Sequence, residues 1–145
     1  MNKQAITNLI YNASEDEAKH YLLSCTDKED LYLYAFNYNW EGGFDIPNII
    51  LNNPVCTIST AKLIFWRADG ANYLRRKDYD DDLPEWSMFI SKLYSRILAQ
   101  EFRPDDFQLI VPLSKLQKLK LKKEIELQDQ FFVEDSAGID LDIEV

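Results

Sequence analysis

Apolar side chains recur every three or four residues along most of the chain, which is the spacing of one face of an α-helix. The longest such stripe lies between positions 84 and 102 and consists of Trp86, Phe89, Ile90, Leu93, Ile97 and Leu98. Shorter stripes, most of them next to a capping residue or a proline, predict further helices over 4–11, 14–25, 47–51 and 57–68. The pattern therefore predicts a mainly α fold, built as a compact multi-helix single domain.

The stretch over 31–40 carries two periodicities at once. Aromatic residues occupy every even position from 32 to 40, which is typical of a strand. The helical spacing is also met, by Leu31, Tyr34, Ala35 and Tyr38. Asp27 is a good N-cap residue just before this stretch, and it favours the helix.

The last third of the chain is the most ambiguous. A helix is predicted over 114–123, but Leu119, Leu121, Ile125 and Leu127 also fall on alternate positions, as in a half-buried strand. Ile139, Leu141, Ile143 and Val145 alternate with acidic residues, which predicts either a small C-terminal β ribbon or a poorly ordered acidic tail. We therefore expect a helical core domain over 1–112 and a C-terminal extension over 113–145, either packed on that domain or partly disordered.

Charge narrows the choice of partners. The 145 residues include 16 Lys and Arg against 25 Asp and Glu, for a formal net charge of -9. Such a surface repels phosphate backbones, so we expect no nucleic-acid partner. Solubility alone accounts for this charge, and the more specific interpretation is a surface complementary to a basic protein.

The chain also lacks the sequence marks of membrane or secreted proteins. No apolar run approaches the roughly 18 residues of a membrane helix, and residues 1–10 have no apolar signal core. Cys25 and Cys56 are far apart and form no metal or redox motif, which suits a reducing compartment. We therefore predict a cytoplasmic protein without a membrane partner.

Residues that could carry out chemistry are few and scattered. His20 is the only histidine, and Cys25 lies five residues further on, which is not a same-face spacing on a helix. The acidic run over 78–82 lacks the glycine and glutamate of a calcium loop and is expected to be a solvated loop. Neither glycine-rich phosphate-binding motif is present. We predict no catalytic residue, no metal site and no cofactor, and a protein that is not an enzyme.

Four blocks of sequence together resemble a known family. They are Asn39-Trp40-Glu41-Gly42 continuing to Pro47, the stretch that leads to Cys56, Ala61-Lys62-Leu63-Ile64-Phe65-Trp66, and Tyr73-Leu74. In this combination the chain is similar to the bacterial family called domain of unknown function 4274, well over 30–74 and more loosely to 106. The resemblance implies a helical fold and a helix over 31–38, and it implies no activity. Lys62 departs from the apolar character of its block and is expected to turn that edge of the helix to solvent.

The polar residues of these blocks form the candidate binding site. They flank a tight corner with aromatic walls, over which Trp66 and Tyr73 are expected to pack, as in many ligand sites. The candidates are Asn37, Asn39, Trp40, Glu41, Asp45, Trp66 and Arg67. The alternative interpretation is architectural, because asparagines often satisfy backbone groups in turns.

Three hypotheses about function follow from the sequence. The first is a protein-protein interaction module of immunity or inhibitor type that neutralises a basic toxin, by analogy of size and type. The second is a small-ligand-binding protein or enzyme that uses a pocket near residues 40–45 and 66–67. The third is a structural or regulatory domain that acts as an oligomer, and the oligomeric state is left open.

Overall fold

Helices make up most of the molecule in the computed structural model, which describes residues 1–141 and 143. The α-helices of this part are α1 (Lys3–Tyr11), α2 (Glu15–Leu23), α3 (Lys28–Asn37), α4 (Asp45–Asn52), α5 (Ile58–Arg67), α6 (Gly70–Arg76), α7 (Pro84–Leu98) and α8 (Lys115–Glu124). Two 3-10 segments, Trp40–Gly42 and Leu127–Val133, complete the helical structure. The prediction of a mainly α single domain is confirmed.

The ambiguous stretch over 31–40 contains the helix α3. Asp27 is its N-cap, and its Oδ1 accepts a hydrogen bond from the Glu29 backbone N–H at 2.9 Å. Every residue from Asp30 to Ala35 is buried, so this helix is covered on all sides. A helix without an exposed face shows no clear stripe, which explains why the pattern also fitted a strand.

The core forms around α5, which contacts both α3 and α7. The largest fully buried side chains of the core include Leu31, Leu33, Ile64, Phe65, Ile90 and Leu93. Thr57 gives α5 no side-chain cap. Instead, Asp105 accepts hydrogen bonds from the Ser59 backbone N–H at 3.0 Å and from the Ser59 hydroxyl at 2.6 Å. The central helix is therefore capped by a residue 46 positions further along the chain.

In the described part of the C-terminal third, the structure contains one α-helix, one 3-10 segment and isolated β-bridges. Ser114 and Gln117 form a complete capping box at the start of α8, and the strand alternative there is wrong. The possible C-terminal ribbon is present only as isolated bridges, from Phe107 to Ile139 and from Leu109 to Ser136. Val145, which was part of the alternating pattern, lies outside the described residues.

Lys62 is buried rather than turned to solvent, which corrects the expectation for this edge of α5. Its Nζ donates hydrogen bonds to the backbone oxygens of Phe131 at 3.2 Å and Glu134 at 3.3 Å. Burial lowers the pKa of this ammonium. Beside it, the Trp66 indole N–H donates to the Phe132 oxygen at 3.0 Å. Both side chains therefore attach the second 3-10 segment to α5.

A buried carboxylate attaches the same segment to α6 and α7. Asp129 is fully buried, with its Oδ1 accepting from the Tyr94 hydroxyl at 2.6 Å and its Oδ2 lying 2.5 Å from Lys77 Nζ. Lys77 is thus an anchor for the C-terminal segment. A buried charge is tolerated when it is paired and hydrogen-bonded in this way.

Helix α7 ends at Leu98, four residues earlier than the stripe predicted. Gln100 adopts a left-handed conformation with φ 57°, which turns the chain away from the helix axis. Phe102 is nevertheless buried against the core, so its apolar character reflects packing after the helix. Among the described residues, none of the helices combines the length and the apolar character that a membrane crossing requires.

Candidate functional site

A groove of about 220 Å³ opens where α1, the start of α2, the end of α3 and the first 3-10 segment meet. We call it the Tyr34 groove. Its walls include Leu9, Glu15, Tyr34, Tyr38 and Gly42. The Tyr38 hydroxyl donates to the Gly43 backbone oxygen at 2.7 Å, and a Cβ on Gly42 would lie 2.8 Å from that hydroxyl. Glycine at position 42 therefore lets an aromatic ring form one side of the groove.

Tyr34 has an unusual environment in this groove. Its side chain is only 6% exposed, and no residue in the described part of the chain hydrogen-bonds to its hydroxyl. Burial and then the charge of Glu15 raise the pKa of Tyr34. Burial, followed by the neighbouring Tyr34, Glu15 and Asp45, raises the pKa of Tyr38 to about 12. Both hydroxyls are therefore neutral at pH 7.

A second groove of about 520 Å³ runs between α4 and α7. We call it the α4–α7 groove. Phe44 and Phe89 stack at a centroid distance of 4.6 Å in its lining, with Asp45, Glu85 and Met88 around them. Met88 is 66% exposed and the Asp45 side chain 80% exposed. The groove therefore combines an exposed apolar side chain with two carboxylates and one exposed lysine, Lys92.

The two grooves are adjacent because Asp45 connects them. Lys19 Nζ lies 3.4 Å from Glu15 Oε1 and 3.6 Å from Asp45 Oδ2, so one lysine joins the edges of both grooves. We use the term acidic face for this region together with the loop before α7. It comprises Glu15, Asp45, Asp78, Asp81, Asp82 and Glu85 with the apolar Tyr79, Leu83 and Met88. Three cations, Lys19, Arg76 and Lys92, lie among these residues.

Hydrogen bonds close the loop before α7. The Asp80 backbone N–H donates to the Ser87 hydroxyl oxygen at 2.9 Å, and the Ser87 hydroxyl donates to the Asp80 oxygen at 3.2 Å. The Asp80 carboxylate also accepts from the Asp82 backbone N–H at 3.0 Å. The Asp80 carboxylate is thus hydrogen-bonded within the turn, whereas Asp81 and Asp82 are exposed.

Two of the predicted site residues line the Tyr34 groove, and both make backbone hydrogen bonds. The Asn37 side-chain amide donates to the backbone oxygens of Leu33 and Ile143, each at 2.9 Å. Asn39 Oδ1 accepts from the Glu41 backbone N–H at 3.1 Å. Both asparagines therefore satisfy backbone groups, as the architectural interpretation expected.

The other predicted residues are divided among three places. Trp40 packs edge-on against Tyr38 at 5.2 Å, Glu41 is exposed on the first 3-10 segment, and Asp45 pairs with Lys19. Trp66 faces Phe132, and Tyr73 packs on the ring of Tyr94 at 5.3 Å, so neither covers the corner as expected. Arg67 lies over the Phe36 ring at 4.7 Å in a separate groove of about 320 Å³.

Sequence reasoning missed Glu15, Tyr34, Glu85 and Met88 as site residues. Tyr34 was assigned only to the apolar face of a helix, and an unpaired hydroxyl leaves no trace in a sequence pattern. Met88 offered a weak signal, because it departs from the apolar stripe of α7 and so had to face outwards.

The histidine and the two cysteines do not line these grooves. His20 is exposed on α2, and burial raises the pKa of Cys56 to about 12, so its thiol stays protonated at neutral pH. Over residues 1–141 and 143, no cluster of three His, Cys, Asp or Glu side chains has the arrangement of a metal site.

The geometry defines a small helical domain with an acidic face that contains two grooves. Residues 26–98, half of the chain, match the model of the family described as Domain of unknown function (DUF4274), and the chain belongs to this family. The match confirms the resemblance seen in the sequence. Comparisons with curated proteins and with solved structures give no match. Tyr34, Asp45 and Met88 lie inside the family segment, whereas Glu15 lies before it.

Proposed function

We propose that this protein is a protein-binding module of immunity or inhibitor type, which acts in the cytoplasm and binds a basic protein such as a toxin through its acidic face. The observation that supports this most is the set of exposed apolar side chains among carboxylates. Tyr79 is 56% exposed, Leu83 54% and Met88 66%. Interfaces combine such an apolar centre with a charged rim.

The charges of this face suit a fast encounter with a basic partner. Asp78, Asp81, Asp82 and Glu85 are all exposed and close together in sequence. Charge complementarity raises association rates far more than it raises the lifetime of a complex. The net charge of -9 extends the same attraction over the whole molecule.

The fixed loop conformation supports binding in a second way. Since Asp80 and Ser87 already hold the turn, little conformational entropy is lost when a partner contacts Tyr79 and Leu83. Preorganised loops of this kind are typical of tight inhibitors, whose backbones move little on binding.

The test uses the protein encoded by the gene adjacent to this one, produced together with the full chain. We expect a complex that protects cells from the growth defect caused by that protein alone. Replacing Asp81→Lys and Asp82→Lys together should weaken association at least tenfold at low salt, mainly through a slower association rate.

Asp106→Lys is the matched control, because Asp106 is also an exposed carboxylate but lies outside the acidic face. It should leave association within about twofold of the original chain. Absence of any complex at low salt, or equal affinity of the Asp81 and Asp82 double variant, would contradict the proposal.

The alternative function, a small-ligand-binding protein or enzyme, has one observation in its favour. The Tyr34 groove is partly enclosed, and the Tyr34 hydroxyl has no hydrogen-bond partner among the described residues. Trp66 and Arg67 lie elsewhere, so such a ligand would use residues 37–42 without them. Binding of a neutral metabolite in this groove, unaffected by the Asp81 and Asp82 changes, would favour the alternative.

A further inference from the structure

The Tyr34 hydroxyl has no hydrogen-bond partner among the described residues, although the side chain is only 6% exposed. The hydroxyl oxygen itself is not enclosed by protein. It reaches the Tyr34 groove, which Glu15 also lines. An incoming group can therefore form a hydrogen bond to it there by displacing solvent.

The local potential indicates the sign of that group. Helices α1 and α3 both end at this groove, at Tyr11 and Asn37, and the C-terminal end of a helix carries a partial negative charge. The carboxylates of Glu15 and Asp45 add two full negative charges. Lys19 pairs with both carboxylates, and the N-terminal end of α2 adds an opposing partial positive charge. Among the described residues that line the groove, Glu15 is the only charged one, so the groove favours a cationic group over an anionic one.

We propose that the Tyr34 groove binds an organic cation, namely the ammonium or guanidinium group of a lysine or arginine side chain that a protein partner inserts. The inference rests on the proposed function, because it assigns one anchoring contact within the same acidic face. A volume of about 220 Å³ holds about seven waters at roughly 30 Å³ each, enough for one such side chain.

The groove offers each part of this side chain a contact. The charged nitrogen donates to the Tyr34 hydroxyl oxygen and to the Glu15 carboxylate. Tyr38 also lines the groove, and aromatic rings commonly attract cations. Leu9 and Ile46 line the groove and cover the apolar stem.

The experiment titrates N-acetyl-lysine N-methylamide into the full chain and follows backbone amide signals by NMR. We expect saturable shifts confined to residues around Glu15, Tyr34 and Gly42. N-acetyl-norleucine N-methylamide, which has the stem without the charge, should bind at least tenfold more weakly. Equal binding of both compounds, or no saturable shift with the lysine compound, would overturn the inference.

Tyr34→Phe is the decisive variant. It keeps the ring and removes only the hydroxyl, and that hydroxyl makes no hydrogen bond in the described part of the chain, so the variant should melt at the same temperature as the original. Affinity for the lysine compound should fall about tenfold, the loss expected for a hydrogen bond to a charged donor. Tyr73→Phe, a half-buried tyrosine outside the groove, should leave the affinity unchanged. An unchanged affinity in Tyr34→Phe would refute the assignment.

Tyr34→Phe is also tested for binding to the protein encoded by the adjacent gene. This measurement distinguishes the proposed function from the cation site, and it distinguishes a cation supplied by the partner from a free cation. If Tyr34→Phe weakens both the lysine compound and the protein partner, the side chain comes from that partner. If it weakens the lysine compound alone, the groove takes a free cation, and the inserted side chain is refuted. If the partner binds but the lysine compound does not, the inference fails while the proposed function stands.

Discussion

The family segment over 26–98 and the C-terminal segment over 99–141 are built in different ways. In the first, α3, α5 and α7 pack side by side through continuous apolar faces. In the second, one capped helix and a 3-10 segment are attached by separate polar side chains, among them Lys62, Trp66 and Lys77. Helix packing follows from a repeating pattern, whereas attachment by single hydrogen bonds depends on contacts between residues far apart in sequence.

The two segments nevertheless share one core. Phe132 is fully buried, with its ring 4.7 Å from that of Phe65 and 5.6 Å from that of Tyr94. The C-terminal segment thereby covers the side of α5 and α7 that the family segment leaves open. We therefore expect the two segments to unfold together, and the following variants test how strongly they depend on each other.

The largest effect is expected for Phe132→Ala. Removing a fully buried aromatic side chain should lower the free energy of unfolding by about 3–5 kcal/mol, because a cavity is left between the two segments. A urea titration followed by circular dichroism should still show one transition. Leu127→Ala in the same 3-10 segment is the control and should cost less than about 0.5 kcal/mol, since Leu127 is 83% exposed. Two separate transitions would contradict the shared core.

Tyr94→Phe should have the next largest effect. It removes the hydroxyl that donates to the buried Asp129 carboxylate at 2.6 Å, and hydrogen bonds to charged groups contribute about 1.5–3 kcal/mol. The free energy of unfolding from urea titration measures the loss. Tyr73→Phe keeps this network and should be close to neutral, so equal stability of the two variants would show that Asp129 does not anchor the segment.

Asn53→Ala tests a polar anchor inside the family segment. The Asn53 amide donates to the backbone oxygens of Leu22 and Cys25, both at 2.9 Å, and its oxygen accepts from the Val55 N–H at 3.0 Å. Leaving these buried groups unpaired should cost about 1–3 kcal/mol. Asn52→Ala, at an exposed neighbouring position, should cost less. A neutral Asn53→Ala would mean that apolar packing alone fixes the α2–α4 contact.

The smallest expected effect is the pH dependence contributed by Asp135. Burial alone would raise the pKa of this carboxyl, but hydrogen bonds from Lys118 and the Val111 N–H outweigh it and hold the pKa below its ordinary 3.8. The folded state therefore binds fewer protons, and the stabilisation is present above pH 3.8 and lost as pH falls through the folded-state pKa. Asp135 is 44% exposed, so the gain is below about 1 kcal/mol.

Urea titrations of the original chain and of Asp135→Asn at pH 7 and at pH 3 measure this contribution. The stability difference between the two proteins should be larger at pH 7. Asp106→Asn, an exposed acid on the same segment, should show no such difference. If the difference in free energy of unfolding between the original chain and Asp135→Asn is the same at both pH values, the role assigned to Asp135 is contradicted.

Most of the fold could be predicted from the sequence because its helices repeat an apolar pattern and begin at recognisable caps. Asp27, Ser114 and the stripe of α7 each identified a helix that the structure contains. The docking of the C-terminal segment could not be predicted, since Lys62 and Lys77 look like surface residues until their distant carbonyl and carboxylate partners are known. The candidate site was predicted in part. Asn37 and Asn39 line the Tyr34 groove, but no sequence pattern brings Glu15 beside Tyr34.

Asp105 shows that the folded unit extends beyond the residues that match the family model. The positive end of the central helix is neutralised by a carboxylate that lies beyond the last matched residue. A natural fusion or rearranged gene that carried only residues 26–98 would therefore encode an α5 without its Asp105 cap and with exposed aromatic rings beside it. Such a product is expected to be held by chaperones or degraded, so recombination would preserve the longer unit, with the C-terminal segment inherited alongside the matched one.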